Sequence, residues 1–175
     1  MLVKDIMVRN PFTAKPDNTV PEVKALMKKQ KVNKIPILDR NGKLVGIVTK
    51  NDIEKATPND STTLDVFELS YLLGKLKIEK IMHKDVKFVT ENETLENAAS
   101  IMQDYGIGCL PVLKDNKIIG IITETDIFHA FIDLFGARFP GVRVTFEVDE
   151  KPGQLAKIAA GIAGLNGNII TTLHS

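Results

Sequence analysis

An internal repeat is the feature that most constrains what this chain can fold into. Residues 3–7 (VKDIM) match residues 78–82 (IEKIM) at an offset of 75 positions. Beyond the predicted turn at Gly42, where one copy has an extra residue, residues 46–53 match residues 120–127 at an offset of 74. An Asn-Gly turn between strands tolerates such a change in length. The fold must therefore be built from two copies of one unit.

Each copy is predicted to fold as β-α-β-β-α. Residues 12–14 and 88–90 are short extended pieces that precede a helix. The first of these helices begins with a Thr-x-x-Glu capping box from Thr19 to Glu22, and Thr94 begins its counterpart. The predicted strands that follow are 35–38 and 44–48, then 110–113 and 118–122, and a second helix begins near Asp52 and near Asp126. A unit of about 55 residues buries little by itself, so we expect an α/β (α+β) fold in which both copies pack sheet to sheet as one pseudo-two-fold module.

Four segments are predicted along the chain. The first repeat takes residues 1–56 and the second takes residues 78–136. Between them, residues 57–77 form a polar linker and then a helix, since residues 64–76 have mostly helical spacing. Residues 137–175 follow a different pattern and form a separate C-terminal segment.

The C-terminal segment is predicted to be β-α-β. Residues 142–148 alternate between apolar and polar, as a half-buried strand does, and residues 169–173 are predicted to form a second strand. Between them, a turn at residues 149–154 leads into an alanine-rich helix at residues 155–165. A unit of this size has too little core to stand alone.

The helix that follows the second repeat has almost no polar face. Apolar side chains dominate residues 127–135. A helix of this kind is usually buried on several sides. We expect it either in the core of the chain or at a homodimer interface.

Composition excludes several classes of protein. The chain has 23 Lys+Arg against 22 Asp+Glu, a net charge of +1, whereas nucleic-acid-binding domains usually carry a clear basic excess. The aliphatic run at residues 118–122 is far shorter than the ~20 residues of a membrane span, and the N-terminus shows no signal peptide. The lone Cys109 cannot form an internal disulfide and suits a reducing compartment. We expect a soluble cytoplasmic protein whose partners are neither nucleic acid nor membrane.

Catalytic groups have little support in the sequence. His83, His129 and His174 lack neighbours at metal-ligand or triad spacing, so we interpret them as solvated or packed side chains. Nothing basic adjoins Cys109 to activate its thiol, and no glycine-rich phosphate loop is present. The sequence therefore predicts no enzyme, no metal site and no required cofactor.

The repeated Thr-x-x-Asp motif is the constellation with the most chemical potential. It places Thr49 and Asp52 in the first copy, and Thr123 and Asp126 in the second, where a strand gives way to a helix. One interpretation is a helix cap, with the acid favouring the positive end of the helix dipole. The other is a ligand site, because a carboxylate can accept both hydroxyls of a ribose and a helix start offers N–H groups to a phosphate. Sequence alone leaves both open.

The two copies resemble cystathionine-β-synthase-type repeats, or CBS domains, which occur as tandem pairs. The resemblance is carried by residues 6–7, 35–37 and 46–53 in the first copy, and by 81–82, 110–112 and 120–127 in the second. It implies regulatory binding of AMP, ADP, ATP or S-adenosylmethionine in clefts between the repeats. It also implies a homodimer formed through the paired repeats, and a regulated enzyme as a possible partner.

The resemblance assigns site residues in both copies. The motif residues that it places at the phosphate or ribose are Thr49, Asp52, Thr123 and Asp126. The residues that it places around the base are Ile35, Pro36, Leu110 and Pro111.

The two sites are predicted to differ in charge. The first copy has Lys34 and Lys50 where the second has Cys109 and Glu124. Each lysine is a point-charge donor for a phosphate, so the first site is expected to anchor the more phosphate-rich ligand. Glu124 should weaken or alter the other site.

The C-terminal segment resembles the start of an ACT domain through residues 149–155. A CBS pair followed by such a segment, together with residues 106–112, resembles the acetoin-utilization (AcuB-like) proteins. A whole ACT domain is β-α-β-β-α-β, so this would be a partial one, either shortened or completed by another chain. Gly153 would be its amino-acid contact, or only part of a Pro-Gly turn before a helix.

Two other functions stay open. The chain could be a structural dimerisation or assembly module with empty clefts. It could also be an accessory subunit that binds an enzyme, as acetoin-utilization proteins suggest. A nucleotide that copurifies with the protein would favour the ligand-sensing function over both.

Overall fold

The computed structural model describes residues 1–56 and 74–173. The predicted helix at 64–76 lies almost wholly outside these residues. The helices are α1 (Val3–Ile6), α2 (Val20–Gln30), α3 (Lys50–Ala56), α4 (Leu95–Tyr105), α5 (Glu124–Leu134) and α6 (Gln154–Gly164). The strands are β1 (Val8–Arg9), β2 (Lys34–Leu38), β3 (Leu44–Thr49), β4 (Val89–Thr90), β5 (Cys109–Lys114) and β6 (Lys117–Thr123), and a 3₁₀ turn covers Ile78–Lys80. The mixed α/β fold class and the repeated helix-hairpin-helix order are confirmed.

The repeated helices begin as their sequences predict. Thr19 accepts a hydrogen bond from the backbone N–H of Glu22 at 3.4 Å, and the Glu22 carboxylate accepts one from the N–H of Thr19 at 2.8 Å. Thr94 caps α4 by accepting from the N–H of Asn97 at 3.2 Å, and α4 ends at Gly106, which has a φ of 61°. The capping threonine thus satisfies one free N–H group at each helix start, whereas the Val20 N–H donates to Leu76 O and the Leu95 N–H donates to Met1 O.

The strands form two sheets of related design. The four-stranded sheet has the order β1-β6-β5-β4, with β5 and β6 as an antiparallel hairpin and β4 parallel to β5. The other sheet is the antiparallel hairpin of β2 and β3. Single bridges extend that hairpin on both sides, from Ala14 to Ile37 and from His83 to Ile47. Each hairpin therefore has one short piece of chain on either side.

The outermost pieces are exchanged between the repeats. The N-terminal segment packs on the second repeat, where Val3 N–H donates to Glu93 O at 2.9 Å and β1 pairs with β6. Reciprocally, Ile78 N–H donates to Asn18 O at 2.9 Å in the first repeat. The sequence match had placed residues 3–7 and 78–82 at the start of their own copies. The exchange joins the copies into one unit, since neither hairpin keeps its own leading segment.

Two glycines make the exchange possible. A Cβ atom on Gly46 would lie 2.5 Å from Met82 Sδ, and one on Gly120 would lie 2.6 Å from Met7 Sδ. The backbone oxygens of His83 and Val8 would also lie 3.1 Å from these positions. A side chain at either position would crowd the crossing segment, and glycine avoids this.

The core of the first repeat includes a residue from the second. Ile78 is fully buried in an apolar cluster between α2, α3 and the β2–β3 hairpin. The buried members of this cluster are Ala14, Val20, Val23, Met27, Ile35, Ile37, Val48, Ile53 and Ile78. Val3 is likewise fully buried, although it precedes the first repeat's own core. The hydrophobic free energy of each repeat thus depends on a segment from the other.

The chain divides into two compact units, Met1–Ile127 and Phe128–Ser175. In the second unit α6 confirms the predicted alanine-rich helix, and Gly153 precedes it with a φ of 87°. The predicted strands at 142–148 and 169–173 are wrong, because neither segment has strand structure. Val142 is 90% exposed, and two short runs with no third strand to pair with are marginal as a sheet. The partial ACT domain is therefore not confirmed.

Helix α5 is less buried than its composition predicts. Ile127 and Ala130 are buried, but Phe128 is 66% exposed and Ile132 is 37% exposed. The expectation of burial on several sides is wrong for this chain alone, because only one stripe of the helix is covered. None of the helices in residues 1–56 and 74–173 combines the length and the apolar character needed to cross a membrane.

Candidate ligand-binding sites

In the first repeat, the Thr-x-x-Asp motif closes into a hydrogen-bonded box at the junction of β3 and α3. The Thr49 backbone N–H donates to Asp52 Oδ2 at 2.8 Å, and the Thr49 hydroxyl donates to the same oxygen at 2.7 Å. The Asp52 N–H points back to Thr49 Oγ1 at 3.3 Å. This arrangement satisfies the N-terminus of α3, so the helix-cap interpretation is confirmed. It also holds the carboxylate rigidly at the end of a strand.

The second repeat contains the same box at the junction of β6 and α5. Thr123 N–H and Oγ1 donate to Asp126 Oδ2 at 2.8 and 2.7 Å, and Asp126 N–H lies 3.3 Å from Thr123 Oγ1. In both boxes the threonine uses Oδ2 only. Each aspartate therefore still has a second oxygen, Oδ1, available for another partner.

His83 takes that second oxygen in the first repeat. Its Nε2 lies 3.0 Å from Asp52 Oδ1, and the His83 side chain is 63% exposed whereas that of Asp52 is 14% exposed. Burial raises the pKa of Asp52, but hydrogen bonds from Thr49 and from His83 outweigh it and hold the pKa below its ordinary value. His83 is therefore a largely solvated side chain, as its sequence context predicts, and it also has an acidic partner that the sequence did not reveal.

The signal for this contact lay in the repeat itself. His83 directly follows the repeated segment 78–82, and the exchange carries it to the hairpin of the other copy. The residue that matches His83 at the offset of 75 is Val8, which lies on the hairpin of the second repeat. Residues 52 and 83 are far apart in the chain, so this signal becomes informative only once the exchange of the leading segments is known. Of the other histidines, His129 is exposed and His174 lies outside the described residues.

The proposed base-lining residues lie inside the core. Ile35 and Leu110 are fully buried, and Pro36 and Pro111 are buried beside them on β2 and β5. Pro36 pairs with Ile47 across its hairpin as Pro111 pairs with Ile121. The structure thus places the four at equivalent positions of the two repeats, with side chains that pack inward.

The two lysines of the first repeat have different partners. Lys34 Nζ donates to the backbone oxygen of Gly108, at the start of β5 in the second repeat. Lys50 forms an exposed ion pair with Glu54 at 3.5 Å and lines a groove between α2 and α3. Lys34 therefore links the two repeats, whereas Lys50 belongs to the outer helical surface.

The groove between α2 and α3 is basic. Its volume is about 450 Å³, and its cationic lining residues are Lys24, Lys28, Lys31 and Lys50, with Glu54 as the acid among the lining residues. Met27, Val32 and Ile53 form its apolar part. The groove lies on the helical face of the repeat and includes neither Thr49 nor Asp52.

Cys109 is a buried free thiol that lies near Lys34 and Glu124. Burial raises the pKa of the Cys109 thiol to about 11, and nearby Lys34 lowers it only in part. The thiol is therefore protonated at neutral pH and packs as a small apolar side chain. No cluster of three or more His, Cys, Asp or Glu that could hold a metal ion occurs among the described residues.

The fold is a module of two paired repeats. Each repeat has a β-hairpin that receives the leading segment of the other copy, and each has a Thr–Asp box. Residues 3–59 and 78–133 match the CBS domain family. The chain therefore belongs to the CBS domain family, as a tandem pair. The boundaries predicted for the four segments of the chain stay predictions.

Curated relatives include larger enzymes. Homoserine O-acetyltransferase of Methanosarcina acetivorans is 38% identical over 132 residues, which are 75% of this chain and 22% of the enzyme. L-aspartate semialdehyde sulfurtransferase of Methanocaldococcus jannaschii is 35% identical over 131 residues, which are 74% of this chain and 23% of that protein. The chain thus spans less than a quarter of the length of these relatives.

Solved structures of CBS pairs have the same fold. A CBS domain pair in complex with 5′-methylthioadenosine and S-adenosyl-L-methionine has a TM-score of 0.62 and 34% identity, over 75% of this chain and 95% of that one. A protein of Vibrio cholerae assigned to acetoin utilization (AcuB) has a TM-score of 0.64 and 32% identity, over 82% and 98% of the two chains. The protein CBSX2, in complex with AMP, has a TM-score of 0.60 and 30% identity, over 75% and 96%.

Proposed function

We propose that the chain is a non-catalytic regulatory module that binds adenosine-type ligands, such as AMP, ADP, ATP or S-adenosylmethionine, in the cleft between its repeats. The observation that carries the proposal is the duplicated Thr–Asp box. Each box presents a fixed carboxylate at the end of a strand, beside the N-terminus of a helix. CBS pairs with 30% and 34% identity to this chain are described in complex with AMP and with adenosyl ligands, which supports the same ligand class here.

The chemistry of each box suits a nucleoside. A ribose diol would donate to the carboxylate oxygen Oδ1 of Asp52 or Asp126, while Oδ2 stays bound to the threonine. The adenine would contact the strand backbone at 35–36 or 110–111, because the side chains there pack into the core.

The first site is proposed to prefer ligands with more phosphate. Lys34 lies between the repeats, on the Gly108 carbonyl, where it can turn toward a bound phosphate. Lys50 is placed on the outer helical groove, so its part in this preference is smaller than its sequence position suggests. Glu124 lies beside Gly108 as well, within reach of the Lys34 charge.

Thermal unfolding with and without ligand tests the proposal. At 100 times its dissociation constant, a ligand that binds only the folded chain adds about 2.7 kcal/mol of stability. We expect AMP, ADP, ATP or S-adenosylmethionine to raise the melting temperature, and 2′-deoxy-AMP to raise it less, since it lacks one hydroxyl for the carboxylate. Asp52→Ala together with Asp126→Ala should abolish the rise, whereas Asp115→Ala, at an exposed turn, should not. Equal shifts with the ribose and deoxyribose forms would contradict the proposed role of the carboxylates.

A second function, assembly into a homodimer, is supported by α5. Phe128 and Ile132 expose apolar surface on this helix. Large exposed aromatic side chains of this kind often mark a protein–protein contact. We propose that a second copy covers them, and that a partner enzyme, attached or separate, responds to the ligand in the cytoplasm. Light scattering on a size-exclusion column should show a dimer that Phe128→Asp and Ile132→Asp together convert to a monomer; a wild-type monomer would exclude this function.

A further inference from the structure

The two Thr–Asp boxes differ in what occupies the second carboxylate oxygen. Asp52 Oδ1 lies 3.0 Å from His83 Nε2. Asp126 Oδ1 has no hydrogen-bond partner among the residues that the structure describes. The remaining hydrogen bonds of the two boxes are equal within the precision of the distances. The histidine contact is thus the difference between the hydrogen bonds of the two boxes, in addition to the lysines that distinguish the first site.

The backbone holds His83 in this place. His83 and Ile47 exchange two backbone hydrogen bonds of 2.9 Å each, two residues before Thr49. In the second repeat, Val8 pairs with Ile121, the counterpart of Ile47 at an offset of 74. Val8 therefore occupies the position that His83 has in the first repeat. Since the strand register fixes both side chains, the difference is built into the fold.

A bound ribose would meet different groups in the two sites. In the second repeat it would find an open carboxylate oxygen. In the first repeat it must share or displace His83, whose ring then loses its acidic partner. A 5′-phosphate, which lies next to the ribose in the ligand, offers His83 a new acceptor of equal or higher charge. A ligand with a neutral or cationic 5′ group offers none, so the lost His83–Asp52 contact is not replaced.

We propose that His83 makes the first site selective for adenosine ligands that carry a 5′-phosphate, while the second site, with Val8 in its place, binds adenosine ligands with or without one. This inference rests on the proposed function, because it concerns the choice of ligand at the same two sites. His83 acts here as the specificity-determining residue. It uses a position outside the Thr-x-x-Asp motif.

Isothermal titration of the full-length chain with AMP and with 5′-methylthioadenosine tests the inference. These probes share the adenosine and differ at the 5′ position. Asp126→Asn leaves the first site to be measured alone, and Asp52→Asn leaves the second. We expect AMP to bind the first site at least about tenfold more tightly than 5′-methylthioadenosine, the value of one charge-assisted hydrogen bond. At the second site we expect the two affinities to agree within about threefold, a difference of less than 1 kcal/mol.

Exchanging the two residues should exchange the preferences. In the Asp126→Asn chain, His83→Val should reduce the preference for AMP by weakening AMP and strengthening 5′-methylthioadenosine, and what preference remains is the share of Lys34. In the Asp52→Asn chain, Val8→His should create a preference for AMP. His83→Gln, whose amide can still donate a hydrogen bond but has a different reach and shape, should give an intermediate ratio. Both positions are exposed, so these variants should fold, and their melting temperatures check this.

The outcomes separate this inference from the function on which it rests. Binding of both probes with a ratio that His83→Val does not change overturns the role of His83 and leaves the proposed function standing. The role of His83 is also overturned if the Asp126→Asn and Asp52→Asn chains, with Val8 and His83 retained, show the same ratio of AMP affinity to 5′-methylthioadenosine affinity. Failure of the wild-type chain to bind either probe overturns the proposed function, and the inference with it.

Discussion

The two repeats of this chain share a scaffold and differ in the charge of their surfaces. Both have a capped helix, a β-hairpin and a Thr–Asp box of the same dimensions. The groove between α2 and α3 is lined by four lysines. The residues at the equivalent positions of the second repeat are Ala99, Gln103, Gly106 and Glu124, none of them basic. The two repeats have the same residue types where a helix cap or a Thr–Asp box needs them. They differ at the exposed positions of the groove.

The exchanged segments, in contrast to the exposed surfaces, are alike in the two repeats. Ile78 fills the first repeat and Val3 the second, at positions related by the repeat, and both are fully buried. Each of these side chains comes from one repeat and is buried against the other. The scaffold is therefore symmetric in design, with a larger side chain on one side.

The largest expected effect comes from truncating the exchanged residues. Ile78→Ala should lower the free energy of unfolding by about 2–5 kcal/mol, because it leaves a cavity in the core of the first repeat. Val3→Ala removes fewer methyl groups and should cost less. Urea unfolding followed by circular dichroism measures both values. If Ile78→Ala lowers the free energy of unfolding no more than Val3→Ala does, the stability does not depend on the volume of these two buried side chains.

A second effect is expected where the exchanged segments cross the hairpins. Gly46→Ala and Gly120→Ala should each destabilise the chain by about 1–3 kcal/mol, because the new Cβ would meet a methionine sulfur and a backbone oxygen. Gly42→Ala at the hairpin turn is a useful contrast, since it meets no atom within 4 Å and is disfavoured only by its φ of 78°. Its melting temperature should therefore fall less than those of the two crossing-point variants. A fall at Gly46 or Gly120 no larger than at Gly42 would show that the crossing segments relax freely.

A smaller effect is expected in the acid stability of the first box. The hydrogen bonds of Asp52 hold its folded pKa below its unfolded value of about 3.9, so the stability they contribute is complete above that value and is lost as pH falls through the folded pKa. Asp52→Asn lacks this contribution at every pH and should lose less stability than the wild type between pH 7 and the acid range. His83→Val, which removes one of the groups that lower the pKa, should show a part of the same change. Urea unfolding at a series of pH values measures it, and curves that run parallel for all three proteins would contradict the assignment.

Much of the fold was predictable because its signals are local. The capping box from Thr19 to Glu22, the turn at Gly42 and the period of the apolar residues report on neighbours in the chain. The Thr–Asp box is also local, since its two residues are three apart, and the structure confirms the helix cap. The prediction of strands in the C-terminal segment was wrong because strand formation depends on residues far away in the chain. Alternation at 142–148 signals a strand only if another strand is present to pair with it.

The sequence by itself determined that there are two copies, where their helices begin, and which residue pairs carry the carboxylates, because these depend on contacts a few residues apart. Only the tertiary structure decided which copy each leading segment joins, that Lys34 bonds to Gly108, and that His83 meets Asp52 where Val8 stands in the other repeat. Repetition makes the two possible partners of a leading segment nearly equivalent in sequence. Which partner a leading segment joins depends on chain connectivity and packing, so it can be determined only from the folded pair of repeats.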